Sequence, residues 1–228
     1  MKSVLNSLFV SALFAVPQIA LSQDVPKTED QEAAYIRSIT QRADKIVATL
    51  DLADSAKATR VRDIIVRQYR DLSKIHETRD AQSKAAREEL AADKTSPNAA
   101  IQAARDEVQP KLDKLHVEFL VRLSAELSPE QVNTVKDGLT YGVVPLTYGV
   151  YLKMHPELTD AQKQQIMAWL VEAREIAMDG STSAEKHAVF GKYKGRINNY
   201  LSKAGYDAKK GEQNLKRASQ PKSETKPN

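Results

Sequence analysis

Apolar side chains recur along most of the chain with the spacing of an α-helix. The first clear stripe consists of Ile36, Ile39, Ala43, Ile46, Val47 and Leu50. Similar stripes follow in residues 61–75 and 101–123. Spacings of three and four residues place such side chains on one helical face, where they can be buried together. The pattern predicts an all-α fold.

The two long stripes predict a long antiparallel helical hairpin. One helix starts at Asp54, a good N-cap residue, and the next starts at Ser96-Pro97, where a hydroxyl cap precedes a proline. The short polar segment between them suits a tight reversal of the chain. Pro110 lies inside the second of these helices and removes a backbone donor, so we predict a kink or break near Gln109.

Further helix starts carry the pattern of a capping box. Residues 127–131 read LSPEQ, residues 158–162 read LTDAQ, and residues 182–185 read TSAE. In each, a hydroxyl can accept from the backbone amide three residues on, and the Gln or Glu there can reach back. With a brief extra helix from Asp207 to Leu215, the sequence predicts five or six helices.

A duplicated segment interrupts this regularity. Residues 139–143 read LTYGV, and residues 146–150 repeat the same five letters. Gly142, Pro145 and Gly149 disfavour a regular helix here, and Val, Thr and Tyr favour an extended backbone. We therefore predict an irregular crossover over residues 141–154 that links the hairpin to a C-terminal lobe.

The two ends of the chain are predicted to lie outside the fold. Residues 1–22 combine Lys2, a mostly apolar run and small residues at Ala20 and Ser22, the pattern of a cleaved signal peptide. The apolar run is too short to span a bilayer, so the mature protein is expected to be soluble and periplasmic or extracellular. The remaining divisions are a disordered leader at 23–30, a single helical domain at 31–215 and a disordered basic tail at 216–228.

Composition excludes several kinds of chemistry. The chain has no cysteine, which rules out disulfides, thiolate metal sites and thiol catalysis. The formal net charge is +4, and the basic surplus lies in residues 209–228, so no nucleic-acid-binding face is expected. The four histidines have no metal-site spacing: His76, His116, His155 and His187. We expect no metal and no cofactor, and no catalytic residue can be assigned.

The aromatic residues are concentrated between positions 141 and 206. Helical spacing of aromatic residues is typical of core packing. The alternative is an aromatic-lined groove for an apolar or sugar ring, with basic and amide side chains as polar contacts. The candidate ligand-binding residues on this hypothesis are Tyr141, Tyr148, Tyr151, Trp169, Arg174, Tyr193, Arg196, Asn199 and Tyr200.

Two family resemblances can be stated. The LSPEQ and LTDAQ segments resemble the repeated motif of small periplasmic chaperones of the Spy and CpxP type, which are helical cradles for unfolded clients. Residues 169–175 (WLVEARE) and 192–201 (KYKGRINNYL) resemble the exported bacterial family called domain of unknown function 3826. That similarity extends over residues 31–215. It implies export and a bacterial source, but no activity.

The sequence therefore favours an exported, non-catalytic binding or scaffold protein of the bacterial cell envelope. One alternative is a periplasmic chaperone that uses the concave face of the hairpin. Another is an enzyme or accessory protein that acts on an extracellular glycan. The expected partner is an unidentified protein or glycan, and the oligomeric state stays open.

Overall fold

The computed structural model describes residues 28–92 and 96–218, and these residues form eight α-helices and no strand. The predicted all-α class is confirmed, but the predicted count of five or six helices is too low. The helices are α1 (Glu29–Val47), α2 (Ser55–Ala92), α3 (Asn98–Ser124), α4 (Pro129–Leu139), α5 (Val143–Met154), α6 (Asp160–Met178), α7 (Ser183–Lys203) and α8 (Ala208–Ala218). None of these described helices is long and apolar enough to cross a membrane.

The described residues reach slightly beyond the predicted domain bounds. The predicted signal peptide, residues 1–22, lies outside them. Thr28 caps α1, so the helix begins within the segment 23–30 that was predicted as a leader. At the other end α8 continues to Ala218, inside the predicted tail, and the rest of that tail lies outside the described residues.

Helices α2 and α3 form the antiparallel hairpin. Arg60 near the start of α2 forms an ion pair with Glu126 just beyond the end of α3, at 2.9 Å. Farther along α2, Gln82 donates a hydrogen bond to Glu107 on α3. One apolar cluster between the two helices consists of Leu72, Val108, Leu112 and Leu115.

Pro110 does not break α3, which is continuous through it, so of the predicted kink or break the break is wrong and the kink stays a prediction. Proline removes one backbone donor, which leaves the carbonyl four residues earlier, on Asp106, without its helical partner. Both Pro110 and Asp106 lie on the exposed side of α3, where water can reach that carbonyl. The buried stripe on the other side holds the helix against α2.

Two larger apolar cores stabilise the rest of the fold. The first is built by α1 to α4 around Phe119 and Leu123, both fully buried, and Met178 of α6 completes it. The second is built by α5 to α7 around Ile166, Leu170, Phe190 and Ile197. Helix α8 packs on α5, where the Asn214 amide donates to the Met154 carbonyl.

The predicted irregular crossover is wrong, because residues 143–154 form α5. Tyr141 and Gly142 take positive φ angles of 60° and 64° and form the turn between α4 and α5. Pro145 then falls in the first turn of α5, where a backbone N–H would have no helical partner in any case. Gly149 lies within the helix, and packing against α6 and α8 outweighs its low helix propensity.

The predicted capping boxes form at all three positions. The side chains of Ser128, Thr159 and Thr182 each accept a hydrogen bond from the backbone amide of the third helical residue. The side chain of that third residue in turn accepts a hydrogen bond from the backbone amide of the cap residue. The LSPEQ and LTDAQ segments therefore act as helix starts in this fold.

Candidate functional site

The turn between α6 and α7 separates two cavities. Asp179 ends α6, Gly180 follows it, and Thr182 caps α7. Gly180 lines both cavities, and a side chain there would press on Lys186, since an added Cβ would lie 3.2 Å from its Cγ. The turn brings α6 and α7 up to α1, α2 and α3, which supply the other walls.

The first cavity, which we call the histidine cleft, is an open cleft of about 470 Å³. It lies where the hairpin meets α6 and α7. Its polar lining is His76, Arg79, Gln109, Asp113, His116, Glu175, Asp179 and Glu185, and its apolar lining is Leu112, Val117, Ile176 and Val189.

Asp179 is the centre of the cleft's hydrogen bonding. His116 Nδ1 donates to Asp179 Oδ2 at 2.8 Å, and His76 Nε2 donates to the Asp179 backbone carbonyl at 2.6 Å. The hydrogen bond with Asp179 raises the pKa of His116, and the negative charge of Glu175 adds to the effect against the opposing cost of burial. His116 is therefore a histidine whose second ring nitrogen, Nε2, is made more basic by a carboxylate partner.

A network of ion pairs extends from the cleft into the fold. Glu175 Oε2 lies 3.7 Å from His116 Nε2 and accepts a hydrogen bond from Lys136 Nζ at 2.8 Å. Glu175 also pairs with the buried Arg174, which in turn pairs with Asp137 on α4 at 2.8 Å. These contacts fix the orientation of Glu175 at the cleft wall.

Two buried atoms of this cluster have no hydrogen-bond partner among the described residues. They are Nδ1 of His76 and Oδ1 of Asp179. A buried polar atom left without a partner costs about 1–3 kcal/mol. Because these atoms belong to residues that line an open cleft, and the cluster contains a histidine with a raised pKa, we regard it as a candidate functional site.

The second cavity, which we call the tyrosine pocket, measures about 290 Å³. Its principal lining is Tyr35, Arg42, Tyr69, Tyr141, Lys186 and residues 181–183. Lys186 is only 5% exposed, and its ammonium donates to the Leu139 carbonyl at 2.9 Å. Burial lowers the pKa of Lys186 to about 8, and the nearby charge of Arg42 acts in the same direction while Asp179 opposes it.

The aromatic residues predicted as ligand contacts do not converge on one cavity. Tyr151 and Tyr193 are buried, with their hydroxyls bonded to Asn198 and Glu172. Tyr148 is partly buried against the second core. Tyr141 is half exposed, lines the tyrosine pocket and stacks on His187 with ring centres 5.5 Å apart.

Three of the predicted residues do meet on the outer side of α6 and α7. The rings of Trp169 and Tyr200 are nearly perpendicular with centres 5.2 Å apart, and the Arg196 guanidinium lies 4.5 Å from the centre of the Trp169 ring. Arg196 thus covers the indole. Asn199 is exposed, and Arg174 is buried in the ion network beside the histidine cleft.

Sequence reasoning missed the residues that line the two cavities most closely. His76 and Lys186 carried a usable signal, because each occupies a core-facing position of its helix. Lys186 precedes Phe190, Tyr193 and Ile197 on one buried stripe of α7. A charged residue on such a stripe is rarely buried without a partner and can be singled out for that reason.

Within residues 28–92 and 96–218, no three His, Asp or Glu side chains are arranged to hold a metal ion. The side chains at the histidine cleft are carboxylates that accept hydrogen bonds, a guanidinium that donates them, and a histidine paired with an aspartate.

The fold and cavities define an all-helical protein with a polar cleft beside a histidine–aspartate pair. The chain belongs to the family described as Protein of unknown function (DUF3826), which matches it over residues 36–220. The family resemblance inferred from the sequence is thereby confirmed. No curated protein matches the chain. The resemblance to Spy and CpxP chaperones stays a prediction.

Proposed function

We propose that the protein is an exported, non-catalytic binding protein of the bacterial cell envelope that holds a saccharide-like ligand in the histidine cleft. The observation that carries the proposal is the incompletely satisfied polar cluster of His76, His116 and Asp179 at the wall of that cleft. The volume of about 470 Å³ is within the range of small-molecule sites.

The lining suits a polyhydroxylated ring. Carboxylates of Glu175, Asp179 and Glu185 can accept hydrogen bonds from hydroxyl groups. Arg79 can donate in return. Val117 and Ile176 are exposed large apolar residues at the cleft, and they offer a surface for the C–H face of a ring. A sugar presents both kinds of surface at once.

The test is a calorimetric titration of the full chain with neutral oligosaccharides, and the α3 helix supplies a matched pair of variants. Val117 and Val121 are both valines on α3 and are 61% and 64% exposed, but only Val117 lines the cleft. We expect Val117→Lys to abolish binding by filling the cleft, and Val121→Lys to leave it unchanged. No binding to wild type, or equal loss in both variants, would refute the proposal.

The same variants address the chaperone alternative, which the exposed apolar residues of α3 favour. A client-binding surface on α3 would include both valines. In an assay of client aggregation, Val117→Lys and Val121→Lys would then weaken protection to a similar extent. Protection that is absent in the wild type would exclude this alternative.

The paired His116 and Asp179 favour a second alternative, an enzyme that acts on a glycan. A histidine made more basic by a carboxylate can transfer protons in catalysis. Incubation of the protein with a bound oligosaccharide, followed by analysis of the products, separates binding from turnover. Products that disappear in His116→Gln, while ligand binding persists, would establish catalysis and overturn the non-catalytic proposal.

A further inference from the structure

The tyrosine pocket holds two cations that form no direct ion pair with a carboxylate of the described residues. Lys186 on α7 and Arg42 on α1 both line it. Among the described residues, no carboxylate lies within ion-pair distance of either cation; the ion pairs present involve other side chains. Within the described part of the chain, the Lys186 ammonium donates its hydrogen bond to a neutral carbonyl, that of Leu139.

Burial makes this arrangement unusual. Lysine is almost never fully buried unless it is paired with an opposite charge. Lys186 is only 5% exposed; burial disfavours its protonated form, the charge of Asp179 offsets part of that cost, and the like charge of Arg42 adds to it. An anionic group bound between the two cations would remove both penalties.

The walls of the pocket indicate what the anion is attached to. The side chains of Tyr35, Tyr69 and Tyr141 form part of the lining. Tyr141 is held beside the pocket by a φ of 60°, a left-handed conformation that a tyrosine rarely adopts. Strained positions of this kind cluster at binding sites.

The N-terminus of α7 is not available as an anion site. The carboxylate of Glu185 already accepts hydrogen bonds from the backbone amides of Ser181 and Thr182, and so occupies the start of the helix. The cations of the pocket are therefore the groups left for a ligand.

From these contacts we infer that the tyrosine pocket binds a carboxylate carried on a hydroxylated ring, the chemistry of a uronic acid. Lys186 and Arg42 hold the carboxylate, Tyr69 donates a hydrogen bond, and the tyrosine rings bound the sugar ring. The pocket volume of about 290 Å³ exceeds the needs of a bare oxyanion. This site is separate from the histidine cleft, and the inference does not depend on saccharide binding there.

The experiment is a calorimetric titration of the full chain with galacturonate and glucuronate, with galactose and glucose as neutral counterparts and inorganic phosphate as a bare oxyanion. The inference requires that the uronates bind, that the neutral sugars do not bind at this site, and that phosphate binds more weakly than the uronates. Phosphate binding without uronate binding would overturn it, as would no uronate binding at all.

Variants locate the site. Lys186→Met and Arg42→Gln are each expected to weaken uronate binding about tenfold or more, since each removes a charge-assisted hydrogen bond. Matched controls are Lys192→Met and Arg37→Gln, which remove exposed cations from the same two helices outside the pocket. Loss of equal size in the controls would show that only general charge attraction is involved.

The Arg42→Gln variant allows the site to be tested even if Lys186→Met does not fold. The side chain of Arg42 is exposed, so its replacement by Gln should leave the fold intact. Unchanged uronate affinity in Arg42→Gln would overturn the proposed site. Saccharide binding in the histidine cleft is read separately through Val117→Lys, so the two proposals can fail independently.

Discussion

Replacement of Lys186 by methionine removes a buried cation while nearly preserving the length of the side chain. Lys186 is 5% exposed, and its ammonium donates a hydrogen bond to the carbonyl of Leu139 at the end of α4. The variant therefore changes two quantities: the cost of holding a charge inside the protein, and the satisfaction of one backbone carbonyl.

The two effects have opposite signs and similar sizes. Burial lowers the pKa of Lys186 from 10.5 to about 8. At about 1.4 kcal/mol for each pKa unit, the charged side chain costs the folded state about 3 kcal/mol at neutral pH. Loss of the hydrogen bond to Leu139 costs about 1–3 kcal/mol. We expect Lys186→Met to stay within about 2 kcal/mol of the wild-type free energy of unfolding near pH 7.

The pH dependence is the sharper readout. Because the folded pKa lies below the unfolded one, the unfolded chain binds more protons between these two values, and wild-type stability rises with pH across that window. Besides burial, the charges that act on this pKa are Asp179 at the end of α6, which raises it, and Arg42 of α1, which lowers it. The Tyr69 ring of α2 also faces the ammonium, with its centre 6.0 Å from Nζ. The methionine variant lacks this dependence.

Urea unfolding of both proteins near pH 7 and near pH 9.5 measures the difference. The wild type should gain about 2 kcal/mol relative to Lys186→Met between these two pH values, and Lys192→Met, which removes an exposed lysine of α7, should track the wild type. If Lys186→Met instead shows the same pH dependence as the wild type, Lys186 is not a buried charge of lowered pKa.

Three further changes test other parts of the fold by thermal or urea unfolding. Phe119→Ala should cost about 3–5 kcal/mol, because it leaves a cavity in the first core; a loss below about 1 kcal/mol would contradict the packing. Gly138→Ala should destabilise the protein, since the new Cβ would lie 2.7 Å from Cγ1 of Ile46. Because Ile46→Ala removes that atom, Gly138→Ala should cost less in an Ile46→Ala background than in the wild type, and an equal cost in both would contradict this contact. The raised pKa of His116 contributes stability that is fully present below the unfolded pKa and is lost as pH rises through the folded pKa. The wild type should therefore exceed His116→Gln in stability by more near pH 5.5 than near pH 9. A difference in stability that is independent of pH would show that the pair with Asp179 is not formed.

Local signals predicted most of the helices. A capping box involves four consecutive residues, so the starts at Ser128, Thr159 and Thr182 could be identified without knowledge of the fold. The same local reasoning failed at α5. A proline weakens a helix when it lies in the middle and is tolerated in the first turn. Which of these applies to Pro145 depends on where the turn at Tyr141 and Gly142 ends.

The candidate sites depend on contacts between distant parts of the chain. His116 and Asp179 are 63 residues apart in sequence, and His76 and Asp179 are 103 residues apart. No spacing rule brings such pairs together. The aromatic residues stood out by their composition, but composition cannot tell Tyr193, buried in the second core, from Tyr141, which borders a cavity.

The first turn of α7 supplies side chains of opposite charge to the two cavities. Glu185 and Lys186 are consecutive, and consecutive helical residues project about 100° apart. Glu185 therefore lines the histidine cleft, where it pairs with Arg79 at 2.9 Å, and Lys186 lines the tyrosine pocket. The carboxylates on the first side suit hydroxyl donors, and the unpaired cations on the second suit a carboxylate. A neutral sugar should thus favour the histidine cleft and a uronic acid the tyrosine pocket. The carboxylate that the tyrosine pocket requires would be repelled by the carboxylates of the histidine cleft.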